Sequence, residues 1–63
     1  MLTFKNDYLR IIDFKNVVFM NDKYISIMFN NYFIKIQGSN LFITFYGYKE
    51  IIIKGTINNI EFI

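Results

Sequence analysis

The sequence predicts an all-β fold: an antiparallel hairpin meander of about seven to eight short strands, arranged as a two-layer roll or sandwich. A single-layer or coiled β-structure is the alternative. Three observations predict it. Apolar residues alternate with period two along most of the chain, the pattern of a strand with one buried face. Short polar pairs of turn character recur about every eight to nine residues, the spacing of an all-β meander. No stretch of useful length places apolar residues at i, i+3 and i+4, as a helix requires.

Taken in order, the expected strands cover residues 2–5, 8–14, 17–20, 23–29, 32–37, 41–46, 50–54 and 56–62. In the fourth, Ile25, Ile27 and Phe29 share a face, and in the fifth Tyr32, Ile34 and Ile36 do so. Leu41, Ile43 and Phe45 repeat the pattern, followed by Ile51 with Ile53 and Ile60 with Phe62. β-Branched and aromatic side chains of this kind suit a pleated surface. Turns are expected at Asn6-Asp7, Lys15-Asn16, Asn21-Asp22, Asn30-Asn31 and Gly38-Ser39-Asn40, because Asn, Asp and Gly tolerate positive φ and bond locally. An internal echo relates residues 34–43 to residues 51–57, each with alternating isoleucines running into a glycine. Gly38, Asn40 and Gly55 are therefore assigned as structural turn residues.

The chain of 63 residues has room for one domain, residues 1–63. A fold this small buries only about 60% of its unfolded surface. With no Cys and no His, it has neither disulfides nor the usual ligands of zinc or haem. Dense packing of a chain that is 54% hydrophobic and 21% aromatic, association with other chains, or both must compensate. The net charge of +2 comes from scattered residues, Lys5, Arg10, Lys15, Lys23, Lys35, Lys49 and Lys54 among the basic ones. Such scatter blunts sheet edges and maintains solubility. There is no signal peptide pattern and no window near the ~18 uncharged apolar residues of a membrane span. A cytoplasmic location with no direct membrane span is expected. The bias towards Ile, Asn, Lys, Phe and Tyr, with neither Ala nor Pro, suggests an AT-rich genome.

Catalysis is not expected. The chain lacks a His for proton transfer near neutral pH, a Cys nucleophile and a serine in a nucleophile elbow. Asp7, Asp13, Asp22, Glu50 and Glu61 are scattered, two of them in turns. Gly38, Gly47 and Gly55 are isolated, so no phosphate-cradling loop is present. No catalytic residue, metal site or cofactor is assigned. The outer face of the strands says more: it carries Tyr24, Met28, Phe33, Phe42, Tyr46 and Ile52 if the alternating isoleucines point inward. A solvated antiparallel sheet is mostly polar outside, and large apolar patches mark association sites. These six residues are the expected partner-binding set, with Phe33 and Phe42 as anchors, and self-association is expected too. The alternative function is a sheet-based module for single-stranded RNA or DNA, stacking bases on Phe42, Tyr46 and Tyr48 near Lys49. Without a basic groove or RNP pattern, nucleic acid is the lesser expectation.

From Leu9 to Phe62 the chain resembles the YabP/YqfC family of small sporulation proteins. The resemblance is carried by Leu9-Arg10-Ile11 leading to Lys15-Asn16-Val17-Val18, and by Asn21-Asp22-Lys23 before the alternating Tyr24-Ile25-Ser26-Ile27. An apolar strand running into Gly38-Ser39-Asn40-Leu41 and the closing stretch from Glu50 to Phe62 complete it. The resemblance implies a non-enzymatic accessory protein of spore-envelope assembly. It would be made in the mother cell, would act through a protein partner such as a membrane-anchored sporulation protein, and could sit at the forespore membrane through it. The sequence starts nearer this domain than the family's members do, which leaves open a truncated or divergent member.

Overall fold

Alternating isoleucines drive the chain into strands, because β-branched side chains on every second residue can bury one face of a pleated ribbon. The computed structural model describes residues 2–5 and 8–63, and among them the protein is all-β. Six antiparallel strands form one open sheet: β1 (Leu2–Lys5), β2 (Tyr8–Ile12), β3 (Asn16–Met20), β4 (Tyr24–Met28), β5 (Phe33–Gly47) and β6 (Glu50–Phe62). Their order across the sheet is β1-β2-β6-β5-β4-β3. The expected turn at Asn6-Asp7 lies outside the described residues. Among the described residues no helix is long and apolar enough to cross a membrane.

The meander has fewer, longer strands than the turn signals suggest. Residues 32–37 and 41–46, expected as two strands, are one strand in β5, and residues 50–54 and 56–62 are one strand in β6. Gly38, Asn40 and Gly55 therefore close no hairpin. They form a bend within a single long one. A 15-residue strand laid out straight would span about 50 Å, yet the molecule measures 26 × 22 × 19 Å. The hairpin must fold over on itself.

The bend is written into the backbone. Register shifts fall between Gln37 and Gly38 and between Ser39 and Phe42, and extra residues on one strand of a ladder bend it. Asn40 has φ 55° and Gly55 φ 125°. A Cβ at Gly38 would collide with the Thr56 carbonyl oxygen, and one at Gly55 would lie 2.5 Å from that of Asn40, so only glycine allows this approach. The β3–β4 turn joins the bend from the side: Gly38 N–H donates to the Lys23 carbonyl at 3.0 Å and Leu41 N–H to that of Asp22 at 2.8 Å. Asn21 secures that turn, its Oδ1 accepting from the N–H groups of Lys23 at 2.8 Å and Tyr24 at 2.7 Å.

Bending divides the sheet into two layers over a common core. The tip layer holds β1, β2, residues 50–54 of β6 and residues 42–47 of β5, and ends in the tight turn Tyr48-Lys49. The base layer holds β3, β4, residues 33–37 of β5 and residues 59–62 of β6. Leu9, Ile11, Ile51 and Ile53 from the tip layer and Ile25, Ile27, Ile34 and Ile36 from the base layer are all completely buried. Strand residues lose all exposure only when something covers their face, and here each layer covers the other. Phe14, Phe29 and Leu41 complete the cluster. β2 ends two residues earlier than expected, because Asp13 turns to φ 62° and swings Phe14 into the core from the connecting loop. The Asp13 N–H donates to the Lys49 carbonyl at 2.8 Å, tying that loop to the hairpin tip.

Candidate functional site

With the isoleucines facing inward, the outer faces carry what is left for recognition. On the base layer Met28 stands directly across from Phe33, and Tyr24 across from Gln37. Phe33 is extended sideways by Ile63, the two residues exchanging a pair of 2.8 Å backbone hydrogen bonds. Phe19 packs edge-on against Tyr24 with ring centroids 5.6 Å apart. Between these two apolar ends run polar cross-strand pairs: Ser26 with Lys35, Lys35 with Glu61, and Gln37 with Asn59. The last pair is joined by an Asn59 Nδ2 donor to Gln37 Oε1 at 3.3 Å. The apolar residues that these pairs place on the outer face of this layer thus form two small patches, Phe19–Tyr24 and Met28–Phe33–Ile63.

On the tip layer Phe42 lies opposite Lys54, and Ile52 lies between Arg10 on β2 and Phe45 on β5. A register shift between Ile43 and Phe45 inserts Thr44 as an extra residue. Its Oγ1 donates to the Ile52 carbonyl at 3.4 Å. One inserted residue exchanges the two faces for everything beyond it. Phe45, expected in the core, therefore stands outside with its ring over Gly47. Tyr46, expected outside, pairs with the buried Ile51 and meets Phe14 edge-on at 6.0 Å. Tyr46 thus belongs to the exposed rim of the core.

Of the six residues expected to bind a partner, Tyr24, Met28 and Phe33 share the base layer's outer face. Phe42 and Ile52 share that of the tip layer, and Tyr46 joins neither. The two anchors, Phe33 and Phe42, consequently stand on different layers. On the tip layer Phe42, 54% exposed, and Phe45, 48% exposed, share the outer face with the half-buried Ile52. Arg10 Nε donates to Glu50 Oε2 at 2.6 Å at its border, which leaves Lys54 and Lys49 as the charges flanking the aromatic rings. Tyr48 at the hairpin tip is almost fully exposed, with Lys49 Nζ 5.7 Å from its ring centroid. Among the described residues no pocket opens in the surface, and no three carboxylates gather as metal ligands.

The chain was compared with family models, curated proteins and solved structures. None matches. The geometry of the two outer faces is therefore what supports a function.

Sequence reasoning missed Phe45 and Phe19. Nothing local to Thr44 marks the extra residue, and alternation carried through it assigns Phe45 inward. Phe19 sits in Asn16–Met20, where Val17, Val18, Phe19 and Met20 are apolar at every position, so no period selects a face.

Proposed function

We propose that the protein is a non-enzymatic association module that docks a protein partner on the outer face of its tip layer. The observation that carries this reading is the pair of half-exposed phenylalanines on one outer face, Phe45 directly across from Ile52 and Phe42 across from Lys54. Aromatic side chains clustered on a rigid sheet cost little conformational freedom on binding and supply most of the energy at protein interfaces. The resemblance to the YabP/YqfC family supports placing that activity in spore-envelope assembly, in the mother cell, beside a membrane-anchored partner. Deleting the gene in its native host and counting heat-resistant spores per viable cell tests it. A large loss is expected, restored by the wild-type gene and not by a folded Phe42→Ser/Phe45→Ser form. Normal spore yield would sink the sporulation role, and full rescue by the double variant would sink the docking face.

A second reading is favoured by one observation: Phe42 directly across from Lys54, with Tyr48 and Lys49 at the adjoining tip. Aromatics beside cations suit single-stranded nucleic acid. Binding of an oligonucleotide that saturates and weakens steeply with salt would favour it, because phosphate contacts release counterions whereas apolar docking does not.

A further inference from the structure

The open sheet has two edges among the described residues, β1 and β3, and they are differently furnished. β1 carries a lysine, Lys5. β3, Asn-Val-Val-Phe-Met, carries none of the chain's seven basic and five acidic residues. Its last three side chains, Val18, Phe19 and Met20, are 51%, 51% and 52% exposed. Soluble proteins blunt their sheet edges with charge, proline or a covering segment, because unpaired N–H and C=O groups invite another strand. Neither charge nor proline occurs in β3.

The hydrogen-bonding direction of β3 is set by its turn. The Asn21 N–H donates to the Tyr24 carbonyl at 2.8 Å, and pairing continues as Met20 with Ile25 and Phe19 with Ser26. Antiparallel pairs alternate between bonded and non-bonded, so the Met20 N–H and C=O point away from β4, to the open edge. Val18 is skipped by a register shift and has no partner on β4. The edge therefore offers both backbone bonding groups and exposed apolar side chains.

We infer that β3 pairs antiparallel with β3 of a second copy, making a two-fold dimer through the sheet edge. An uncharged strand opposite its own copy brings no like charges together. It also gives Val18, Phe19 and Met20 apolar neighbours of the same kind. Pairing of β3 with β1 of another copy would be head-to-tail and would propagate into a filament, whereas β3 with β3 closes. The bulge at Val18 shortens the ladder, so the interface lies at the small end of the range and the dimer depends on concentration. This inference uses a different surface from the docking face proposed above and stands or falls separately from it.

The test uses the purified chain in analytical ultracentrifugation from low micromolar to millimolar concentration. A monomer–dimer equilibrium is expected for the wild type. Val18→Lys and Met20→Lys should each leave a folded monomer, whereas Phe4→Lys on the opposite edge and Phe42→Ser on the tip face should keep the dimer. Amide exchange in the wild type supplies a readout free of folding defects: the Met20 N–H should slow as concentration rises. A wild type that stays monomeric, a dimer that survives both β3 variants, one lost in Phe4→Lys, or Met20 exchange independent of concentration would each overturn the inference.

Discussion

On the inside, the tip layer presents Leu9, Ile11, Ile51 and Ile53, and the base layer Ile25, Ile27, Ile34 and Ile36, all eight without exposed surface. On the outside, the tip layer gathers Phe42, Phe45 and Ile52 beside one ion pair. The base layer separates its apolar residues with a band of Lys35, Glu61, Gln37 and Asn59. Excluding water asks only for aliphatic bulk, which isoleucine supplies in either layer. Recognition asks for a particular side chain at a particular place. That is why the insides are nearly interchangeable and the outsides are not.

The largest effects should come from testing whether the insides are equivalent. Ile53→Ala and Ile36→Ala each empty a fully buried site and should cost about 2–5 kcal/mol. The whole fold, at the usual stability per residue, has about 3–9 kcal/mol to lose. Urea unfolding followed by circular dichroism should show both variants similarly destabilised. A small loss in one layer beside a large one in the other would mean that the layers do not share a core.

Next comes the bend that brings the layers together. Gly38→Ala drives a methyl group into the Thr56 carbonyl and should cost about 1–3 kcal/mol. Its exposed neighbour Ser39→Ala should change stability by no more than about 0.5 kcal/mol. Thermal melting of the pair measures how far the folded form depends on that approach, and equal melting temperatures would contradict it. The base-layer turn should be more modest. Asn21→Ala removes two acceptor contacts at a net cost of about 0.5–1.5 kcal/mol for a typical bond.

The smallest effect belongs to the tip layer's ion pair. Arg10 and Glu50 meet at 2.6 Å but their side chains are 48% and 30% exposed. A double-mutant cycle of Arg10→Ala and Glu50→Ala should return a coupling of at most about 1 kcal/mol. A coupling well above that would mean the tip face is organised by electrostatics and not by its phenylalanines.

Much of this was legible in the sequence. Period-two alternation identifies the strands and the inward isoleucines, and it places Tyr24, Met28, Phe33, Phe42 and Ile52 outward correctly. Gly38-Ser39-Asn40 is where local chemistry is ambiguous: residues that permit positive φ serve equally in a hairpin turn and in a bend within a strand. Choosing between them requires knowing what lies opposite, and here it is Thr56 and Ile57, far along the chain. Phe45 and Tyr46 were misplaced because a bulge costs one residue and leaves no compositional mark. That Phe33 and Phe42 belong to different layers follows only from the folding-over of β5, which no local window contains.

The strand order also sets a schedule for folding. β3, β4 and β5 pair with their neighbours in sequence, so the base layer's hairpins can assemble as the chain leaves the ribosome. β2 cannot pair beyond its own hairpin then. Its inner partners are the stretch from Glu50 to Lys54, with Tyr8 meeting Lys54, and that stretch emerges only after β3, β4 and β5. Contacts so distant along the chain form late because a long loop must be closed before they return any stabilisation. Leu9 and Ile11 thus stay open to other chains until β6 arrives. A nascent or stalled chain is most vulnerable to aggregation at β2, a strand made well before the one that completes its surroundings.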